Sequence, residues 1–493
     1  MPSPRRAPVW LILIATSLPM FMASLDNLVI TNALPVMAAD LGAGIEELQW
    51  FLNAFTLAFA TFILPAAALG DRIGRRTVFL GGIAIFTAAS VLTALSTEPW
   101  MVIGARAVQG LGAAAIMPLS LTLVAGAVPA RLRPLAIGIW GGVSGLGVAL
   151  GPLVGGAVIE GWNWQSIFWI NVPIGIIAFL LVRLVLADVR GERRPIDLAG
   201  VALAGLGVLG LVFGIVRGNE AGWTSADVLL PLVAGVVLLV AFLLWEARAS
   251  APVLPLSLFR DRSFSVANAV GFTFSFGVFG AIFLLVQFLQ VVQGRSALEA
   301  GLMTMPWTLA PMFVAPLAGL LAPRIGTRAL MVAGLAAQAT AMFWIAATLS
   351  ADVAYPTLVP AFALAGIGMG LVFAPMATAV LARMPERDHA KASGTNSTLR
   401  EIGGALGVAV LTAVFTGAGG ELTPTAYVDA AIPAVATGAA VLALAGVLAV
   451  LLPAGRAERP LDPAPVPVAE PVTGAQPVAP AAAPAAAAVP VAG

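Results

Sequence analysis

The sequence predicts an all-α integral membrane protein of fourteen transmembrane helices, arranged as two six-helix bundles with two further helices inserted between them. Three observations lead to that class. Of 493 residues, 60% are hydrophobic and 10% are charged, against about 25% charged in an ordinary soluble domain. The apolar residues fall into non-alternating runs of about twenty, the length of a membrane helix rather than of a barrel strand. The basic residues gather in every second loop. Backbone groups in lipid must pair internally, so a chain of this composition forms helices.

Taken in order, the apolar runs place spans at 9–34, 48–69, 77–95, 101–128, 134–159, 167–186, 197–216, 228–246, 264–290, 299–322, 329–349, 355–381, 399–418 and 432–453. The start, Pro4-Arg5-Arg6 followed by a long apolar run, resembles the opening of a signal peptide. It is too long and has no small-residue cleavage site, so it reads as an uncleaved anchor helix. One set of loops holds Arg5/Arg6, Arg72/Arg75/Arg76, Arg131/Arg133, Arg190/Arg193/Arg194, Arg248/Arg260/Arg262, Arg324/Arg328, Arg383/Arg387/Lys391 and Arg456/Arg459; the other set holds only Arg217 and Arg295. Basic loops stay cytoplasmic, which puts both termini in the cytoplasm and requires an even number of spans.

The resulting domains are 1–190, a first six-helix bundle; 191–262, the inserted pair and its linkers; 263–455, a second six-helix bundle; and 456–493, an Ala/Pro-rich cytoplasmic tail expected to be disordered. Two echoes support the pairing of the bundles. Gly70-Asp71-Arg72-Ile73-Gly74-Arg75-Arg76 is repeated loosely by Ala322-Pro323-Arg324-Ile325-Gly326-Thr327-Arg328, and the stretch Gly138 to Gly147 by Gly394 to Gly403. Related six-helix halves around a midplane site are a transporter architecture.

Composition also removes function classes. The absence of cysteine excludes disulfides, thiol chemistry and thiolate metal sites. The one histidine, His389, lies in a charged loop, so no metal or acid–base cluster is expected and the protein does not read as a membrane enzyme. Nothing in the net charge of +1 calls for a nucleic acid, and no obligate protein partner is evident.

Four stretches carry chemistry. From Val9 nothing ionisable occurs until Asp26. A carboxylate at that depth costs roughly 2.5–3.5 kcal/mol, so it faces a polar interior and serves a function. Asp26 reads as the only acid clearly inside a span, with Asp197, Glu299 and Glu401 at span ends. In the fourth span Arg106 stands three residues before Gln109 on the same helix face; either Arg106 snorkels to the interface or the two form an inward polar stripe. The fifth span crowds Gly138, Gly141, Gly142, Gly145, Gly147, Gly151, Gly155 and Gly156 around Pro152. Each glycine costs about 1 kcal/mol relative to alanine, which suits either a static close-packed helix pair or a helix that bends between two states. The loop Asp71, Arg72, Gly74, Arg75 and Arg76 is either purely topogenic or a gate on the cytoplasmic side.

Together these stretches resemble the major facilitator superfamily, and within it the fourteen-helix drug:proton antiporters. Gly70 to Arg76 looks like the superfamily's loop motif, and Arg106 to Gly110 like its Arg-x-x-Gln-Gly motif. Gly147 to Gly156 is similar to the antiporter motif Gly-x-x-x-Gly-Pro-x-x-Gly-Gly. Leu25 to Pro35 resembles the Leu-Asp-x-Thr-Val-Val-Asn-Val-Ala-Leu-Pro signature, and Trp162 to Gly175 the start of the sixth span. Departures are Ala67 for a glycine in the loop motif, and Leu28 and Thr31 in the signature. The second half departs further: Pro323 replaces Asp, Phe362 stands opposite Arg106, and Gly407-Val408 replaces Gly-Pro.

The resemblance implies a major facilitator fold that exports amphipathic drugs or antibiotics, cationic ones among the candidates, in exchange for protons. It implies no cofactor beyond the proton gradient, and membrane lipid, protons and a drug-like molecule as partners. A dedicated exporter of one natural product fits the same motifs. Asp26 would bind a proton or cation and Arg106 would modulate it. By elementary electrostatics, a change in their separation would switch proton affinity. The first half would carry most of the coupling. Asp26, Asn32, Asn53, Gln109, Gln287, Gln290 and Trp307 are the candidate cavity residues. The phenylalanines Phe272, Phe274, Phe276, Phe279 and Phe283 enrich the ninth span, a surface suited to planar cations.

Overall fold

The computed structural model describes residues 8–129, 132–188, 197–250, 252–384 and 389–453. The tail expected from 456 onward lies outside them, as do Arg5, Arg6, Arg131, Arg190, Arg193, Arg194, Arg387, Arg456 and Arg459.

The first half comprises α1 (Val9–Leu41), α2 (Ile45–Ile73), α3 (Arg75–Ala94), α4 (Pro99–Ala127), α5 (Arg133–Gly161), the single turn α6 (Ser166–Trp169) and α7 (Asn171–Val185). Two inserted helices follow, α8 (Leu198–Ala221) and α9 (Ala226–Glu246). The second half comprises α10 (Arg262–Gln287), continued by a π-turn at Phe288–Val292, then α11 (Ala297–Ile325), α12 (Thr327–Thr348), α13 (Tyr355–Leu381), α14 (His389–Gly417) and α15 (Pro424–Val450). Thirteen segments among the described residues are long and apolar enough to cross a membrane, α6 and α7 together forming one of them. α5 has 29 residues, roughly 43 Å of helix against a hydrocarbon core of roughly 30 Å. It completes fourteen crossings, and the protein is a multi-pass membrane protein.

One boundary corrects the sequence expectation with consequences for function. Hydropathy places the thirteenth span at 399–418, but α14 begins at His389. Its early turns carry Lys391, Asn396, Arg400 and Glu401, which depress any hydropathy window. Those turns are nevertheless helical and lie between α10 and α2. Glu401 therefore sits near the middle of a membrane helix and not at its end.

Within the halves α1 packs on α5, α4 on α2 and α3, α10 on α14, and α13 on α11 and α12. Between the halves α5 meets α11 and α2 meets α14, while α8 lies against both α2 and α14. A small apolar core of Leu57, Val208, Val212, Val216, Ala405 and Ala409 ties those three helices together. Asn219 of α8 reinforces the seam, its Nδ2 donating to Ala413 O at 2.5 Å and Thr416 Oγ1 at 2.7 Å. α8 thus closes one flank of the interface. α9 packs on α8 and turns Leu230, Val233, Val237 and Leu244 outward, a surface that lipid covers.

Helices alternate in direction, so the ends of α1, α5 and α10 share the face opposite the chain ends with the start of α11. There the main core runs continuously from Leu34, Phe51 and Ile159 of the first half into Phe288, Ala297 and Trp307 of the second. Near the chain-end face the first half keeps a separate core around Val78, Leu123 and Val182. The halves are joined more tightly at the far face.

Candidate functional site: a buried ion pair beside a cavity between the halves

Asp26 of α1 is 3% exposed and Arg106 of α4 fully buried. The side chains meet: Arg106 Nη1 donates to Asp26 Oδ2 at 2.5 Å and to Gln109 Oε1 at 2.7 Å, while Nε donates to Phe51 O at 3.1 Å. The Phe55 ring lies 4.4 Å from the guanidinium carbon, adding a cation–π contact. Gln109 Nε2 donates to Asp26 Oδ1 at 2.9 Å and to Ser90 Oγ at 3.0 Å. The three-residue spacing of Arg106 and Gln109 is what puts both on the face turned to α1. Asn171, the first residue of α7, completes the cluster. Its Nδ2 donates to Asp26 Oδ1 at 2.7 Å and lies 3.2 Å from Ser90 Oγ. The Asp26 carboxylate thus accepts from three side chains on two helices. Sequence reasoning did not single out Asn171 or Ser90 as site residues; the signal for Asn171 was its place in the stretch resembling the start of the sixth span.

In the second half Phe362, at the position equivalent to Arg106, is 1% exposed and packs on Trp307, ring centroids 6.1 Å apart.

Three glycines of α5, Gly147, Gly151 and Gly155, lie against α1. A Cβ on Gly147 would stand 3.0 Å from Ser24 Cβ, on Gly151 2.9 Å from Leu28 Cβ, and on Gly155 2.8 Å from Val29 Cγ1. Gly156 faces the other way, onto the backbone of Ala297 and Leu298 in α11. Small residues therefore let α5 approach α1 on one side and the opposite half on the other. Asn32 joins all three: its Nδ2 donates to Pro152 O at 2.8 Å and Ala297 O at 3.4 Å, and its own carbonyl accepts from Gln290 Nε2 at 3.0 Å. Further out Ser296 Oγ donates to Glu160 Oε2 at 3.1 Å, again between the halves. These contacts latch the far face.

At the chain-end face Asp71 Oδ1 accepts from Arg75 Nε at 2.7 Å, and Arg72 is exposed. Gly74 has φ +128° and joins α2 to α3. A Cβ there would run into the Asp188 carboxylate. Asp188 caps α3, accepting from Arg76 N at 3.0 Å and Thr77 Oγ1 at 2.9 Å, where the helix dipole favours an anion. Arg76 Nη1 donates to Leu186 O at 2.8 Å. The echo in the second half is conformational too: Gly326 has φ +95° between α11 and α12.

Between the halves lies a cavity of ≈ 30 Å³, walled by α1, α2, α10 and α14. Its polar lining is Asn27, Thr31, Asn53, Thr56 and Glu401, and its apolar lining includes Leu28, Leu52, Phe279 and Phe283. Of the candidate cavity residues read from the sequence, Asn53 alone is on this wall. Asp26 and Gln109 are turned into the first half, Asn32 and Gln290 form the latch, and Gln287 donates to Phe283 O at 3.0 Å. Trp307 is buried against Phe362. A drug-sized ligand needs roughly 300–1,000 Å³, so this cavity is too small to hold one as it stands. Among the described residues no group of three or more His, Asp or Glu side chains could hold a metal ion.

A family model described as the Major Facilitator Superfamily matches residues 16–408 and, in a second match, 267–485. The chain belongs to this superfamily. As a major facilitator it is similar to the multidrug resistance protein Stp of Mycobacterium tuberculosis, 36% identical over 406 residues, 82% of this chain and 75% of the relative. It is 39% identical over 416 residues to the cephamycin export protein CmcT of Amycolatopsis lactamdurans, 82% of this chain and 84% of the relative. The tetracenomycin C resistance and export protein of Streptomyces glaucescens is 32% identical over 428 residues, 86% of this chain and 79% of the relative. Among solved structures, an inward-facing, occupied bacterial homolog of the human lysosomal transporter Spinster superposes with a TM-score of 0.65 at 18% identity, covering 90% of this chain and 96% of that one. The family and the fold class expected from the motifs are both met.

Proposed function

We propose that this major facilitator exports amphipathic small molecules, drugs or antibiotics, across the cytoplasmic membrane in exchange for protons, with both termini in the cytoplasm. One observation carries the reading. Within two turns α1 directs Asp26 into the buried ion pair while Asn27, Leu28 and Thr31 line the cavity. A proton on Asp26 would leave the Arg106 charge without its partner in a dry interior, at a cost of several kcal/mol. The pair would then separate, and α1 would carry that shift to the cavity wall. The gradient supplies the energy, so no cofactor is required. Protons and the small molecule are the partners in this cycle, with lipid around the helices.

The arginine-rich loops support a cytoplasmic chain-end face, and the names of the relatives support drug or antibiotic efflux. Two of those relatives are named for export of one antibiotic or antibiotic class, which favours a dedicated exporter as the second reading. The test is transport by the purified protein in proteoliposomes against a panel of antibiotics and toxic amphiphiles, with and without an imposed pH gradient. Accumulation that requires the gradient is expected; gradient-independent or absent accumulation of every compound refutes the proposal. Breadth across the panel separates a multidrug pump from a dedicated one.

A further inference from the structure

At the far face a groove of ≈ 530 Å³ opens where the starts of α2 and α4 meet α8. Its walls include Glu46, Glu47 and Trp50 of α2, Trp100 and Ile103 of α4, and Phe213 of α8. It shares no lining residue with the cavity between the halves. Trp50 and Phe213 lie together, ring centroids 6.0 Å apart. Trp50 also packs against the small core that joins α2, α8 and α14. Trp100 is largely exposed, as tryptophans at a membrane–water interface are.

Arg217 of α8 rims this groove. Its guanidinium carbon lies 5.6 Å from the centre of the Phe213 ring. Its Nε is 3.8 Å from Glu46 Oε1, too far for a hydrogen bond, and has no hydrogen-bond partner. A partly exposed pair at that distance holds two helices only weakly. Yet an arginine is rare on this side, where the loops hold only Arg217 and Arg295. Around it stand Glu46, Glu47 and Glu220, the last beside Glu46, and Glu47 Oε2 accepts from Gly44 N at 2.9 Å. Three carboxyl groups about one guanidinium repel an anionic headgroup and attract an ammonium.

These groups are also ordered by depth. Glu46 and Glu47 belong to the outermost turn of α2, which starts at Ile45. Arg217 is four residues before Ala221, the far end of α8, and Phe213 eight. Their backbones therefore lie roughly 6 Å and 12 Å below that end. Carboxylates outermost, a guanidinium below and aromatic surface deepest is the sequence of partners that a zwitterionic phospholipid needs. Such a lipid carries its ammonium outermost, its phosphate below and its chains deepest.

We infer that this groove is a binding site for phosphatidylethanolamine of the far-face leaflet. The ammonium meets Glu46 and Glu47, the phosphate meets Arg217, and an acyl chain runs along Trp50, Ile103 and Phe213. A lipid held there seats the inserted helix α8 on the first bundle, beside the seam with α14. The inference needs the membrane fold but not the export reading, so a failure of transport leaves it standing.

The test is lipid binding to the purified full chain in detergent, measured by native mass spectrometry. Phosphatidylethanolamine and phosphatidylglycerol with identical chains are the probes. The wild type is expected to bind the ethanolamine lipid about tenfold more tightly, the scale of two partly exposed charge contacts. In the double variant Glu46→Gln with Glu47→Gln, which keeps the capping hydrogen bond of α2, the two lipids should bind within about twofold of each other. Arg217→Ala should weaken both by about fivefold, because both carry a phosphate. Absence of an ethanolamine preference in the wild type overturns the inference. A preference that survives the double variant also overturns it, since the ammonium then binds elsewhere, and so does wild-type binding of both lipids by Arg217→Ala. The substitutions lie on different helices, so misfolding of one variant leaves the other to decide.

Discussion

Arg106 and Asp26 pair across the contact of α4 with α1, Nη1 to Oδ2 at 2.5 Å, with side chains 0% and 2% exposed. Neither charge is tolerable there without the other. Isolated burial of a guanidinium or a carboxylate is far more costly than burial of the bonded pair. The pair holds α1 to α4, and loss of either charge would leave the other buried without its counter-ion.

The first prediction separates stability from coupling. Asp26→Asn should cost about 3–5 kcal/mol, because Arg106 is left buried and uncompensated, and should abolish gradient-driven transport. The double variant Asp26→Asn with Arg106→Gln removes both charges and should recover much of the lost thermal stability in detergent while remaining uncoupled. A double variant no more stable than the single one would show that the ion pair is not the source of the loss.

The second concerns the elbow between α2 and α3. Gly74→Ala puts a side chain at φ +128° and against the Asp188 carboxylate, a strain of about 1–3 kcal/mol. Asp188→Ala removes the cap of α3, worth about 1 kcal/mol. Together they should cost less than the sum of the two, because the smaller side chain at 188 makes room for the new Cβ. Thermal unfolding of the three variants measures this coupling; strict additivity would contradict the clash.

The third tests the latch at the far face. The natural chain contains no cysteine, so a pair introduced as Glu160→Cys and Ser296→Cys, whose native side chains touch at 3.1 Å, reports on that contact alone. A short bifunctional thiol reagent should link them and stop transport, and a cleavable version should restore it on reduction. Transport that continues in the linked protein would mean that this face never opens.

How much of this was legible follows from the kind of signal each feature leaves. Asp26 and Arg106 stood out because a charge interrupts an apolar run, and burial in lipid makes such a charge costly wherever it lies. The Gly74 and Gly326 elbows were visible as an echo because positive φ restricts the residue choice. Ser90 and Asp188 left no comparable mark, and Asn171 showed only as part of the stretch resembling the start of the sixth span: small polar residues near helix ends are common, and their role depends on which distant helix they meet.

The sequence by itself determined the class, the fourteen crossings, the two related halves and the family, since these depend on average polarity over about twenty residues and on local motifs. Only the tertiary structure decided the partners. It turned Asp26 away from the cavity and into the first half, buried Trp307 and Gln287 inside the second, and made a latch of Asn32 and Gln290. It also moved Glu401 from a supposed span end to the cavity wall, because α14 continues through polar residues that hydropathy reads as loop. A hydropathy window averages a helix over all its faces. The face that each side chain presents, and what it meets there, is settled by packing between helices far apart in sequence.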